Sequence, residues 1–128
     1  MIYGVGVDMV ETRRVREAVE RHGDAFAGRI LAEAEWPAYR SARDPSRVLA
    51  KSFAAKEAFG KATGLGIRAP VTLRAFWVQR DTLGKPSFGF GESLGAWLAG
   101  RGITGHHLSL SDEGSLVIAF VTLEGTSP

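Results

Sequence analysis

Two carboxylates and two lysines sit in this chain at positions that solubility does not explain. Asp8 lies inside Gly4-Val5-Gly6-Val7-Asp8-Met9-Val10-Glu11, a run of small and β-branched residues that otherwise reads as a buried strand. An unpaired charge there is costly unless something compensates it. Glu57 lies inside Phe53-Ala54-Ala55-Lys56-Glu57-Ala58-Phe59-Gly60-Lys61-Ala62, a helical pattern, with Lys56 beside it and Lys61 one turn on. A divalent cation shared by Asp8 and Glu57 would account for both carboxylates and leave the lysines for an anionic substrate.

The elements that must hold these groups read as follows. Residues 2 to 10 form a strand, and Thr12 is the expected N-cap of a helix that runs to about His22, with Val15, Ala18 and Val19 inward and Gly23 as its stop. Residues 24 to 43 read as further helical turns, with Phe26, Ile30 and Leu31 inward and Pro37 at a break or in a first turn. Pro45 and Ser46 open the longest helix, which passes through Val48, Leu49, Phe53 and Phe59 to a stop at Gly64, so Glu57 sits on a rigid support.

Beyond Gly64 the pattern turns to strands. Residues 71 to 80 are rich in β-formers, Asp81 to Gly84 form a turn, and Lys85 to Phe90 return as a hairpin partner. A short helix near 91 to 100 presents Leu94, Trp97 and Leu98. Strands at about 105 to 111 and 115 to 123 flank a turn at Asp112-Glu113-Gly114. This order is α+β, without repeats or linkers.

With 128 residues, 45% hydrophobic and 23% charged, the chain suits one domain over residues 1 to 128. The absence of cysteine excludes a disulfide framework and a thiolate metal site, and suits the cytoplasm. The start lacks the basic and apolar regions of a signal peptide, and no run of ~18 uncharged apolar residues occurs, so a soluble, cytoplasmic protein with no membrane partner is expected. The net charge is +2, yet eight of twelve arginines precede residue 50, with Arg13, Arg14, Arg16 and Arg21 in one stretch. That stretch reads either as a docking face for an acidic partner or as a solvated helix face whose arginines pair with Glu17 and Glu20.

Four segments together resemble the holo-acyl-carrier-protein synthases, the small type of phosphopantetheinyl transferase. They are Gly4-x-Gly6-x-Asp8 with Glu11, the Phe53 to Ala62 helix with Lys56, Glu57 and Lys61, Leu83-Gly84-Lys85-Pro86, and His107-Leu108-Ser109-Leu110-Ser111-Asp112-Glu113. The Lys-Glu-Ala helix is the most specific of these. The resemblance implies the 4'-phosphopantetheinyl transferase fold, a small antiparallel sheet packed against a long central helix and shorter helices. It also implies transfer of the 4'-phosphopantetheine group of coenzyme A to a serine of apo acyl carrier protein, with release of adenosine 3',5'-bisphosphate, a requirement for magnesium, and a place in fatty acid biosynthesis.

The resemblance implies roles residue by residue. Asp8 and Glu57 would be catalytic and hold magnesium. Lys61 would be catalytic and contact phosphate, or else pair with Glu57. Lys56 lies about 100° round the helix from Glu57 and would make a salt bridge or another phosphate contact. Gly84, Lys85 and Pro86 would lie against the coenzyme A nucleotide, and His107 and Ser109, alternating on one strand face, beside its phosphates, with His106 pointing the other way. The serine proton would pass to Glu57 through a water, or to Asp112 or Glu113. Arg14 and Arg21, with Arg13 close by, would dock the acidic carrier protein.

Family members of this type are trimers with active sites between subunits, an arrangement that Phe76 and Trp77 would suit as interface residues unless they pack in the core. Two positions depart from the pattern. Ser52, preceded by Lys51, replaces a basic residue that many members carry, and Asp112-Glu113 stands where many have a histidine. Two other readings compete. A basic nucleic-acid-binding domain would explain the arginines but not Asp8, and no glycine-aromatic binding signature is present, so no nucleic-acid partner is expected. A non-catalytic trimeric interaction module would keep the basic helix and the core without needing the carboxylate pair.

Overall fold

The computed structural model describes residues 1 to 126. In chain order the elements are β1 (Ile2–Glu11), α1 (Thr12–His22), α2 (Asp24–Ile30), a 3-10 turn (Glu33–Glu35), α3 (Trp36–Ser41), α4 (Pro45–Thr63), β2 (Phe76–Arg80), β3 (Pro86–Phe90), α5 (Glu92–Gly100), β4 (Ile103–Glu113) and β5 (Leu116–Gly125). The long strands make an antiparallel sheet in the order β1-β5-β4, and β2 and β3 make a separate hairpin. This is the expected α+β arrangement.

The 19-residue helix α4 lies across the inner face of the sheet. Asp44 caps it by accepting from the Arg47 N–H, and Gly64, with φ 83, ends it. Its buried surface is lined by Ala50, Ala54, Ala55, Ala58 and Ala62, so the sheet can approach the helix backbone closely. On the strand side the approach depends on two glycines. A Cβ at Gly6 would lie 1.9 Å from the Ala58 carbonyl oxygen, and one at Gly4 would lie 2.0 Å from that of Ala62. Because side chains alternate along a strand, the next residue on this face is Asp8.

Beside the sheet, Phe59 of α4 anchors the β2–β3 hairpin. Its ring centroid lies 4.8 Å from Phe76, 5.1 Å from Phe88 and 5.4 Å from Phe90, contacts worth about 0.5–1.5 kcal/mol each beyond the area they bury. Leu94 and Leu98 of α5 are buried in the same core.

Several expectations shift. Thr12 is the first residue of α1 rather than its cap. Its hydroxyl and its N–H both donate to the Ser115 carbonyl, at 3.0 and 2.8 Å, and tie the helix to the β4–β5 turn. The strand expected over 71 to 80 begins only at Phe76, because the preceding backbone is used otherwise: Val71 bridges Arg68 in a local turn, and the Leu73 carbonyl accepts from Lys56 of α4. The last turn falls at Gly114-Ser115, since pairing continues to Glu113 opposite Leu116. A two-residue turn led by glycine matches strand twist better than the three-residue turn expected. Phe76 is fully buried in the aromatic core and so is a core residue rather than an interface residue, while Trp77 is half-buried. Pro37 does stand in the first turn of α3.

Candidate active site

Asp8 and Glu57 are brought together from β1 and α4. Asp8 is the third inward position after Gly4 and Gly6, and its side chain is 19% exposed. Glu57 is half-buried and has no hydrogen-bond or ion-pair partner among the described residues. Its carboxyl pKa is raised, first by burial and then by the negative charge of Asp8, with Lys61 acting against both. Lys61 pairs across to the strand rather than along its own helix: its Nζ donates to the Val7 carbonyl at 2.9 Å and to Asp8 Oδ1 at 3.2 Å. Two mutually repelling carboxylates with a lysine at their edge form a donor set that a hard divalent cation fits, since magnesium takes oxygen ligands and needs only one or two carboxylates.

Lys56 does not join this site. It is fully buried, and its three donors go to Glu35 Oε1 at 2.5 Å, the Ile30 carbonyl at 2.7 Å and the Leu73 carbonyl at 2.6 Å. Of the two roles open to it, the ion pair is the one formed, and no donor is left for a phosphate. Ser52 sits one turn earlier on the same face and also donates to Glu35. The Ala32 and Val78 N–H groups complete a carboxylate with four donors. Sequence reading missed Glu35. Its only signal was a carboxylate among apolar residues ahead of Trp36, which resembles any helix start.

The Gly84-Lys85-Pro86 turn is shaped by Asp81, whose Oδ1 accepts from the Leu83 and Lys85 N–H groups at 2.9 Å each. The Lys85 side chain is left exposed. His107 and Ser109 point to the outer face of the main sheet, opposite Asp8, and His107 contacts Glu124 there. Within one chain they do not meet Asp8 and Glu57. They share that outer face with Val5, Val7, Met9, Ile118 and Phe120, all exposed, a contiguous apolar surface that alternation in β1 and β5 builds. His106 points inward, as expected, and accepts from the Phe88 N–H.

Asp112 is not free. It pairs with Arg47 at 3.2 Å and Lys51 at 3.3 Å. Burial acts to raise its pKa, but Lys51 and Arg47 outweigh this and hold it below the usual carboxylate range. Lys51 is thereby engaged too. Arg13, Arg14 and Arg21 are all exposed on α1, Arg13 lying 3.8 Å from Glu11. Arg14 rims a groove whose floor includes Val15, Ala18, Phe26 and Phe53, apolar residues that sequence reading had assigned only to the core.

Among the described residues no helix is long and apolar enough to cross a membrane. The profile of the 4'-phosphopantetheinyl transferase superfamily matches residues 4–121. A holo-[acyl-carrier-protein] synthase from Nitrosomonas europaea is 54% identical over 124 residues, covering 97% of this chain and 99% of that one. The crystal structure of the Neisseria meningitidis synthase superposes with TM-score 0.94 at 48% identity, covering 97% of this chain and 99% of that chain. The Bacillus anthracis synthase, solved in complex with CoA (3',5'-ADP), gives TM-score 0.82 at 31% identity over 98% and 99% of the two chains. With its paired carboxylates and Lys-Glu-Ala helix in that fold, the chain belongs to the 4'-phosphopantetheinyl transferase superfamily and, within it, to the holo-[acyl-carrier-protein] synthases.

Proposed function

We propose that this chain, as a magnesium-dependent enzyme of the cytoplasm, moves 4'-phosphopantetheine from coenzyme A to a serine of apo acyl carrier protein and so supports fatty acid biosynthesis. The observation that carries this is the facing pair Asp8 and Glu57 with Lys61 at its edge. The serine oxygen forms a bond to the β-phosphorus of coenzyme A, the bond from that phosphorus to the bridging oxygen breaks, and adenosine 3',5'-bisphosphate leaves with that oxygen. Negative charge grows on phosphate oxygens during transfer, and Lys61 supplies a fixed positive charge beside them. Bound at Asp8 and Glu57, magnesium would neutralise pyrophosphate charge. Glu57, which has no hydrogen-bond or ion-pair partner among the described residues, accepts the serine proton through a water. Asp112 is a poor base while two cations hold it.

Gly84, Lys85 and Pro86 hold the coenzyme nucleotide, with the exposed Lys85 ammonium on a phosphate. His107 and Ser109 serve the site of a neighbouring copy: the exposed apolar face they share supports a homotrimer with sites between subunits. Arg13, Arg14 and Arg21 with the groove below them dock the acidic carrier protein. Mass spectrometry of apo carrier protein incubated with the chain, coenzyme A and magnesium tests this. A gain of about 340 Da is expected, absent with a chelator and with Glu57→Gln. No gain across several carrier proteins would overturn the reading.

A further inference from the structure

The β2–β3 hairpin is held along both edges by side chains instead of a backbone ladder. Val78 and Phe88 face each other across it, and their N–H groups point outward in opposite directions. Val78 donates to Glu35 Oε2 at 3.0 Å, and Phe88 donates to His106 Nε2 at 2.9 Å. A directly opposed antiparallel pair either exchanges both bonds or neither, so both outward donors need acceptors from elsewhere. On one side the acceptor is a carboxylate bound to Lys56. On the other it is a single imidazole, reaching from β4 where no ladder joins the two sheets.

An N–H donor requires a lone pair on Nε2, so His106 must be neutral with its proton on Nδ1. The ring packs on Phe88 and Phe90, with centroids 5.4 and 5.3 Å away. The cavity beside it is lined from other elements by Phe59 of α4, Leu98 and Ala99 of α5 and Leu123 of β5, none of them titratable. Its titratable neighbour is His107 on its own strand. Burial and then His107 push the His106 pKa below 6.5, which favours the neutral form that the geometry needs. Protonation would turn the acceptor into a donor facing a donor.

We propose that His106 is a positioning residue for coenzyme A: its neutral Nε2 fixes the edge of β3, and with it the Gly84-Lys85-Pro86 turn two residues away, and acid releases that edge. This rests on the reading that the turn holds the coenzyme nucleotide. Steady-state kinetics in coenzyme A between pH 5 and 8, on wild type, His106→Gln, His106→Met and Lys85→Ala, test it beside NMR protection of the Phe88 amide. Glutamine can accept at the Nε2 position without titrating, whereas methionine offers no comparable acceptor.

The expected result is a wild-type KM for coenzyme A that rises about three- to tenfold on acidification relative to His106→Gln, with kcat little changed. His106→Met has the raised KM at every pH. Phe88 protection follows the same order. A general stability defect would not produce this KM-against-kcat split or its rescue by glutamine. If His106→Met fails to fold, the comparison of wild type with His106→Gln still decides. Wild type and His106→Gln with the same pH dependence would overturn the proposal even if Lys85→Ala raises KM. A Lys85→Ala variant with unchanged KM would instead overturn the reading of the turn, and the coenzyme role of His106 with it.

Discussion

Lys56 Nζ lies 2.5 Å from Glu35 Oε1, fully buried, while the adjacent residue Glu57, about 100° round the same helix, faces Asp8. One helical step thus separates a pair that joins α2, the 3-10 turn and the β2 hairpin from a pair open to chemistry. Removing one member of a buried ion pair leaves the other charge uncompensated, a cost of about 3–5 kcal/mol. Lys56→Met should lose stability by this order in urea unfolding. Replacing both Lys56 and Glu35 with apolar residues should recover part of the loss.

Glu57 should trade stability for activity. Its carboxyl binds a proton more tightly in the fold than in the unfolded chain, because burial, and next the charge of Asp8, raise its pKa above 4.5. The native state therefore holds more protons than the unfolded state as pH climbs from 4.5 through the folded pKa, and stability is lost over that window. In chelator, Glu57→Gln should be more stable than wild type at pH 7.5, with the difference vanishing below pH 4.5. Its kcat should fall at least about a hundredfold, since even outer partners of metal ligands cost 10–100-fold.

Gly6 allows β1 to lie on α4, and a methyl group there would meet the Ala58 carbonyl at 1.9 Å. Neither partner is a side-chain tip that can swing away. Gly6→Ala should cost about 3 kcal/mol or more, the upper end for overpacking, seen as a lower melting temperature. Surviving folded protein should show weakened magnesium binding, because Asp8 moves with the strand.

Arg14 and Arg21 are solvated, so their contribution to docking should be mainly steering. Arg14→Ala with Arg21→Ala should raise KM for carrier protein about tenfold at low salt and leave kcat near wild type. Repeating the titration at 0.5 M salt should shrink the difference, since screening removes what the arginines supply.

Phe120 stands 46% exposed at the centre of the apolar outer face, opposite Val7 on one side and Ser109 on the other. Phe120→Glu should shift the mass in light scattering from a trimer to a monomer and remove activity together with it. A monomeric variant with full activity would show that His107 and Ser109 are not needed across a subunit boundary.

The sequence by itself determined the element order, the long helix from Pro45 to Gly64 and the pairing of Asp8 with Glu57. A charge inside an apolar strand, and a second carboxylate at a helical position where burial is expected, are conflicts visible without coordinates. It also carried the segments that mark the family. Local pattern did not decide what depends on which surfaces meet. Lys56 and Lys61 each kept two open roles in the sequence, and tertiary packing decides between them by burying Lys56 against Glu35 and setting Lys61 beside Asp8. Phe76 and Trp77 read as exposed until Phe59 covers Phe76. The apolar outer face emerges only from the register of β1, β5 and β4, which sets Val7, Phe120 and Ser109 in one row. His106 gained its meaning only when the fold set a backbone donor from a distant hairpin 2.9 Å from its ring.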